Sequence, residues 1–221
     1  MKTLLSNIAL HFSWLFAATN LQGQGVLYVS NLGETAGGAM AVASNSWIAL
    51  LFVSGSNPQG YLLNSIQLLM NPASGNPSGF AVSIYSADGN GNPGTLLGNL
   101  FGDSNPMAGG VFSYSASEVK LSPITDYFVS VTAATSVGTG AYSWSLANTT
   151  SDTTFGDPRW AIYELYDTSL NGVDWTHFAG QNPFQMAIYA TAIPEPSVAF
   201  LVFLGGGVLI FLRVHLRRTT R

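Results

Sequence analysis

The sequence predicts an all-β protein, an antiparallel β-sandwich of jelly-roll type, with an N-terminal signal helix before it and one C-terminal transmembrane helix after it. Three observations carry that prediction. Between Val26 and Thr191, short apolar or alternating runs are separated by clusters of Gly, Pro, Asn and Ser, the pattern of strands and turns. No stretch in this body carries apolar residues at helical spacing for three turns. The long, nearly charge-free apolar segments lie at the two ends instead.

The chain opens MKTLLSNIALHFSWLFAATNLQGQG. Lys2, an apolar region from Ile8 to Ala18 and then small and polar residues have the layout of a secretory signal peptide. Ser6, Asn7, His11 and Ser13 interrupt the apolar part. Cleavage is expected after Thr19, with Ala17 at the −3 place, or after Gly23, and residues 1–24 are assigned to the signal. The alternative is a buried N-terminal helix.

Residues 25–192 form the β-sandwich domain. In GFAVSIY, Phe80, Val82 and Ile84 share a face; in AYSWSLAN, Tyr142, Trp144 and Leu146 do; in FQMAIYAT, Phe184, Met186, Ile188 and Ala190 do. Alternation of this kind buries one side of a sheet and leaves the other wet. Further strands are expected at 26–30, 39–43, 47–53, 61–70, 111–114, 126–133, 159–166 and 173–178. SGSNPQG, NPASGNPSG and ADGNGNPGT between them are turn chemistry, Gly and Asn supplying positive φ and Pro fixing φ near −65°. Ten or so short strands argue for two packed antiparallel sheets. No internal repeat is present, which argues against a propeller or solenoid.

The chain closes with PEPSVAFLVFLGGGVLIFLRVHLRRTTR. Val198 to Leu212 is fifteen residues without a charge, and nineteen when counted through Leu216; a span needs roughly 17–25. An arginine near a helix end snorkels to the headgroups, so a membrane segment over 197–216 is expected. Arg213, Arg217, Arg218 and Arg221 then stay on the cytoplasmic side, with the acidic body outside. Pro194 and Pro196 cannot lie inside a hydrogen-bonded helix and form an extended lead-in.

Pro194-Glu195-Pro196, the apolar segment and the terminal arginine cluster together resemble the PEP-CTERM sorting signal, here residues 193–221. The resemblance implies handling by an exosortase-type membrane enzyme that cuts near the Pro-Glu-Pro motif during export, in a bacterium that makes extracellular polysaccharide. The alternative is a plain single-span protein. LYVSNLGET, SWIALLFVSGSNPQGYLLNSIQLLM, SGNPSGFAVSIYSADGNGNPGTLLGNL and YSASEVKLSPITDYFVSVTAATS resemble the choice-of-anchor R domain of exported bacterial proteins, over roughly residues 26–192. That family carries no established activity to transfer.

Charge and cysteine usage narrow the function. Only 8% of the residues are charged, against a usual ~25%. Four of the seven basic residues occupy the last nine positions. Residues 25–193 hold two basic and ten acidic residues, a formal charge of −8. A body so acidic has no phosphate-neutralising surface, which excludes nucleic acid as a partner. Zero cysteines remove disulfides, thiolate metal sites and cysteine nucleophiles together.

Signals for chemistry are sparse. His177 is the one histidine of the body, and with no Cys a zinc site would need carboxylates for its other ligands. Asp174, three residues away, falls on the opposite face of a strand. No G-x-S-x-G elbow and no phosphate-cradling loop occurs. Ten body acids make some carboxylate pair inevitable without singling one out. DGNGNPG offers Asp88, Asn90 and Asn92 as oxygen ligands, but Pro93 and Asn99 stand where an EF-hand loop has Gly and an acid, so a hairpin turn explains it better. Core packing accounts for Trp47 and Trp144, since an aromatic buries about 150–250 Å². Trp160 and Trp175 flank a longer polar region and are the expected exposed, ligand-binding aromatics.

The reading is an exported, non-catalytic cell-surface or extracellular-matrix protein with no cofactor and no metal. Its expected partners are an exosortase-type enzyme, the membrane and extracellular polysaccharide. A carbohydrate-binding module is the alternative, and a polysaccharide hydrolase the third reading.

Overall fold

The computed structural model describes residues 25–195; the expected signal helix and membrane helix, Pro196 and the four tail arginines lie outside the described residues. The described residues contain fourteen strands, no helix, and two sheets in which every pairing is antiparallel.

The eight-stranded sheet is built on β4 (Tyr61–Gly75). Along one edge of β4 lie β14 (Met186–Ala192) and then β10 (Gly140–Ala147); along the other lie β8 (Lys120–Leu121) and β7 (Gly110–Ser115). The sides follow from shared partners, because Ile66 pairs with both Ile188 and Tyr114, and Met70 with both Trp144 and Gly110. Outside them, β1 (Val26–Ser30) pairs with β14, β2 (Ala36–Val42) with β10, and β11 (Thr153–Thr154) with β1. Pro72 donates no ladder hydrogen bond. It sits where the register of β4 against β10 shifts, opposite the step from Ala141 to Ser143.

The six-stranded sheet has the order β13 (Trp175–Ala179), β12 (Ala161–Ser169), β3 (Trp47–Val53), β9 (Asp126–Thr132), β5 (Ala81–Ala87), β6 (Pro93–Leu100). Its inner face sends Ile48, Leu50, Phe52, Val82, Ile84, Val129 and Val131 into one apolar cluster with Leu63, Ile66, Leu68, Trp144, Met186 and Ile188 of the other sheet. Each such side chain contributes about 1.5–3 kcal/mol relative to exposure. A one-residue slip of β5 would turn Val82 and Ile84 outward, so its alternating pattern fixes the register.

On one side the two sheets are joined, since Phe101 and Ser115 exchange both backbone hydrogen bonds at 2.8 Å. On the other side the edge strand β2 and the β12–β13 hairpin stand apart and leave a groove. The expected strands recur with shifts of a few residues, and β4 runs on to Gly75 rather than ending at 70. Three strands were unforeseen: β6, β8 and β11.

Candidate functional site

The first place of interest is where the domain ends. Val26 pairs with Ala190, so the chain enters and leaves the fold at the same end of one sheet. Among the described residues, the last hydrogen bonds are made with the loop after β3. Ile193 N–H donates to the Gly60 carbonyl at 3.0 Å, and Asn57 Nδ2 donates to the Ile193 carbonyl at 2.9 Å and to that of Gly60. Beneath this collar, Asp157 Oδ2 accepts from the Tyr61 hydroxyl at 2.6 Å and from the backbone and hydroxyl of Ser56. Burial raises the Asp157 carboxyl, but those hydrogen bonds outweigh it and hold the group below its ordinary value. Gly55 must lack a side chain here, because a Cβ would lie 2.3 Å from Asp157 Oδ2. Pro194 and Glu195 follow directly and are exposed.

Trp160 requires a correction. It was expected to be exposed and is fully buried. Its ring stacks on Tyr28 at 5.0 Å, lies parallel to Phe52 at 6.3 Å, and meets Tyr61 edge-on at 4.9 Å. The polar residues around it form the outside of a loop, while the indole turns in to fill the end of the core next to the collar. It therefore offers no face to a ligand. Trp144 is fully buried as expected, donating Nε1–H to the Gln185 carbonyl at 3.0 Å. Trp47 is half-buried, with Nε1–H donated to the Ser44 carbonyl.

Trp175 is half-buried on the outer face of the six-stranded sheet. It packs against the small buried cluster that Ala49, Leu51 and Phe128 of β3 and β9 form on this face. Strand pairing sets out a row on this face, His177, Asp167, Ala49, Ser130, Ser83 and Asn99. His177 Nδ1 meets Asp167 Oδ1 at 2.8 Å, and Ser83 Oγ donates to Asn99 Oδ1 at 2.8 Å. Asp167 is fully buried, and neither its Oδ2 nor the Ser130 hydroxyl has a partner among the described residues. Burial pushes the Asp167 carboxyl up to about 6; the His177 ring opposes that rise and the Asp88 carboxylate adds to it. An imidazole oriented by a carboxylate is two-thirds of a hydrolytic triad. Among the described residues no hydroxyl is hydrogen-bonded to its Nε2.

Asp174 does not join His177; it accepts instead from Asn171 Nδ2 at 2.8 Å. Asp167 was missed. The turn Asn171-Gly172, with Gly172 at φ 75°, centres the hairpin so that 167 faces 177, and that signal was present in the sequence. Asp88 behaves as a turn residue: its Oδ1 accepts from the backbone of Asn90 at 2.8 Å and Asn92 at 2.9 Å. Those two hydrogen bonds hold its carboxyl below the ordinary value.

Two of the concavities on the surface matter for binding. The groove beside β2 measures about 520 Å³ and is lined by Met40, Leu170, Asp174 and Phe178 among others. A trough of about 460 Å³ lies over β4 and β7 on the outer face of the eight-stranded sheet. Fold and surfaces together define an acidic, two-sheet antiparallel β domain. Comparison of the chain with family models, curated proteins and solved structures finds no match.

Proposed function

We propose that this chain is an exported, non-catalytic protein of the cell surface or extracellular matrix. An exosortase-type enzyme sorts it through Pro194-Glu195-Pro196, the apolar segment 197–216 and the arginines at 213, 217, 218 and 221. The body is then a jelly-roll-like domain of the choice-of-anchor R kind, and its role is structural or adhesive. The observation that carries this reading is the collar. Among the described residues the last hydrogen bonds of the fold end on Ile193, and Pro194 and Glu195, the first two residues of the motif, are exposed. A cut at or after Pro194 therefore leaves these hydrogen bonds intact. Intact-mass measurement of the protein recovered from its native envelope tests the reading. A C-terminus near residue 196 is expected, and a mature chain that still ends at Arg221 would overturn the sorting step.

A further inference from the structure

The trough on the eight-stranded sheet has a chemistry of its own. Its floor is Ser65 and Gln67 of β4, with Ser113 and Ser115 of β7 on one flank and Tyr189 of β14 on the other. Asn64 and Glu118 close one end. The polar groups are held in place. Gln67 Nε2 donates to Ser113 Oγ at 3.2 Å, and its Oε1 accepts from the Tyr189 hydroxyl at 3.4 Å. Asn64 Oδ1 accepts from Thr191 Oγ1 at 2.9 Å. Its side chain lies against bare backbone at Gly25, where a Cβ would come within 2.2 Å of that oxygen. Ser65 and Ser115 face each other across the strands, and their hydroxyls make no hydrogen bond among the described residues.

Each ligand class can be weighed against this lining. An anion finds neither lysine nor arginine in the trough and a body of formal charge −8 around it. A cation finds one exposed carboxylate, Glu118, and an exposed ion pair contributes little in water. An apolar ligand would strip water from the hydroxyls and amides and leave them unpaired, which disfavours it. A neutral polyhydroxylated chain satisfies donors and acceptors together and can lay a ring face on Tyr189. The floor strand belongs to a run without a single charged residue between Glu34 and Asp88, so the floor itself is neutral and Glu118 is the one charged group of the lining.

We infer that the trough over β4 and β7 binds a segment of neutral polysaccharide, through Asn64, Ser65, Gln67, Ser115 and Tyr189. This deepens the adhesive reading and rests on the exported location, since it names what the domain adheres to. The site lies away from Trp160 and Trp175.

The test is calorimetric titration of the detergent-solubilised full chain with hexasaccharides of glucose, mannose and N-acetylglucosamine, and with a uronate hexamer as the anionic control. At least one neutral probe is expected to bind. Gln67→Ala and Tyr189→Ala should each weaken binding tenfold or more, and Met40→Ala in the groove should leave it unchanged. Ser115→Ala, an exposed change on β7, serves where the other variants fail to fold, and should weaken binding several-fold. Binding of no neutral probe, tighter binding of the uronate, or wild-type affinity in the trough variants would overturn the inference. A protein cut near residue 196 that binds no hexasaccharide refutes the trough and leaves the sorting reading standing; a saccharide binder still ending at Arg221 does the reverse.

Discussion

Replacing Asp167 with Asn should stabilise the protein at neutral pH and lose that advantage as the pH falls. Asp167 is fully buried on the outer face of the six-stranded sheet, with Oδ1 on His177 and Oδ2 unpaired. Burial raises its carboxyl from 3.8 to about 6. An acid whose pKa is higher in the folded state binds its proton more tightly there than in the unfolded chain. Stability is then greatest below pH 4 and is lost as the pH rises through the window from about 4 to about 6. Each unit corresponds to about 1.36 kcal/mol, so ionisation costs roughly 3 kcal/mol at pH 7. The opposing attraction to His177 is weakened by solvent, because that side chain is 41% exposed. Asn keeps the shape and an oxygen for the His177 Nδ1–H, and carries no charge. The expected gain is therefore about 1–3 kcal/mol at pH 7–8 and close to nothing at pH 4. Urea unfolding of the full chain at unit steps from pH 4 to 8, read by the fluorescence of the buried tryptophans, measures it. A variant less stable than the parent at pH 7, or an offset that does not change with pH, would refute the reasoning.

Two further outcomes are expected. Trp160→Ala removes an indole packed against Tyr28, Phe52 and Tyr61 and should cost about 3–5 kcal/mol in denaturant unfolding; a loss under 1 kcal/mol would mean that the ring is not part of the core. Tyr61→Phe deletes the 2.6 Å hydrogen bond to Asp157 and should cost about 1–2 kcal/mol at pH 7. Since the Asp157 carboxyl is depressed in the fold, its contribution is present above its unfolded pKa and lost as the pH falls through the folded one. The difference between Tyr61→Phe and the parent should therefore shrink in acid, and a pH-independent difference would contradict this account.

The strands were legible where large apolar residues alternate with small or polar ones. Val82 and Ile84, Tyr142 and Trp144, and Met186 and Ile188 all point inward as their alternation indicated. β6 was not legible, because Pro93 and Gly94 open it and read as turn. It lies on a sheet edge with Leu96 and Leu97 exposed, so no alternation marks it. Trp160 misled for a related reason: Asp157, Pro158 and Arg159 before it describe the outside of the loop, whereas a side chain's direction is decided by what it can fill. The partnership of Asp167 and His177 needed hairpin register, which the Asn171-Gly172 turn specifies more firmly than sequence proximity does. Nothing local announces the trough, since its floor and flanks come from segments more than forty residues apart that only strand pairing brings together.

The placement of β14 between β1 and β4 has a kinetic meaning. A chain delivered from its N-terminus supplies β1 first and this interior strand last, so closure waits on the longest-range strand pairing among the described residues, a slow kind of step. Until residue 192 has emerged, β1 and β4 each keep an open edge that other chains could pair with. A polypeptide shortened before Met186 lacks the strand that covers both edges and is thus an incomplete and aggregation-prone object.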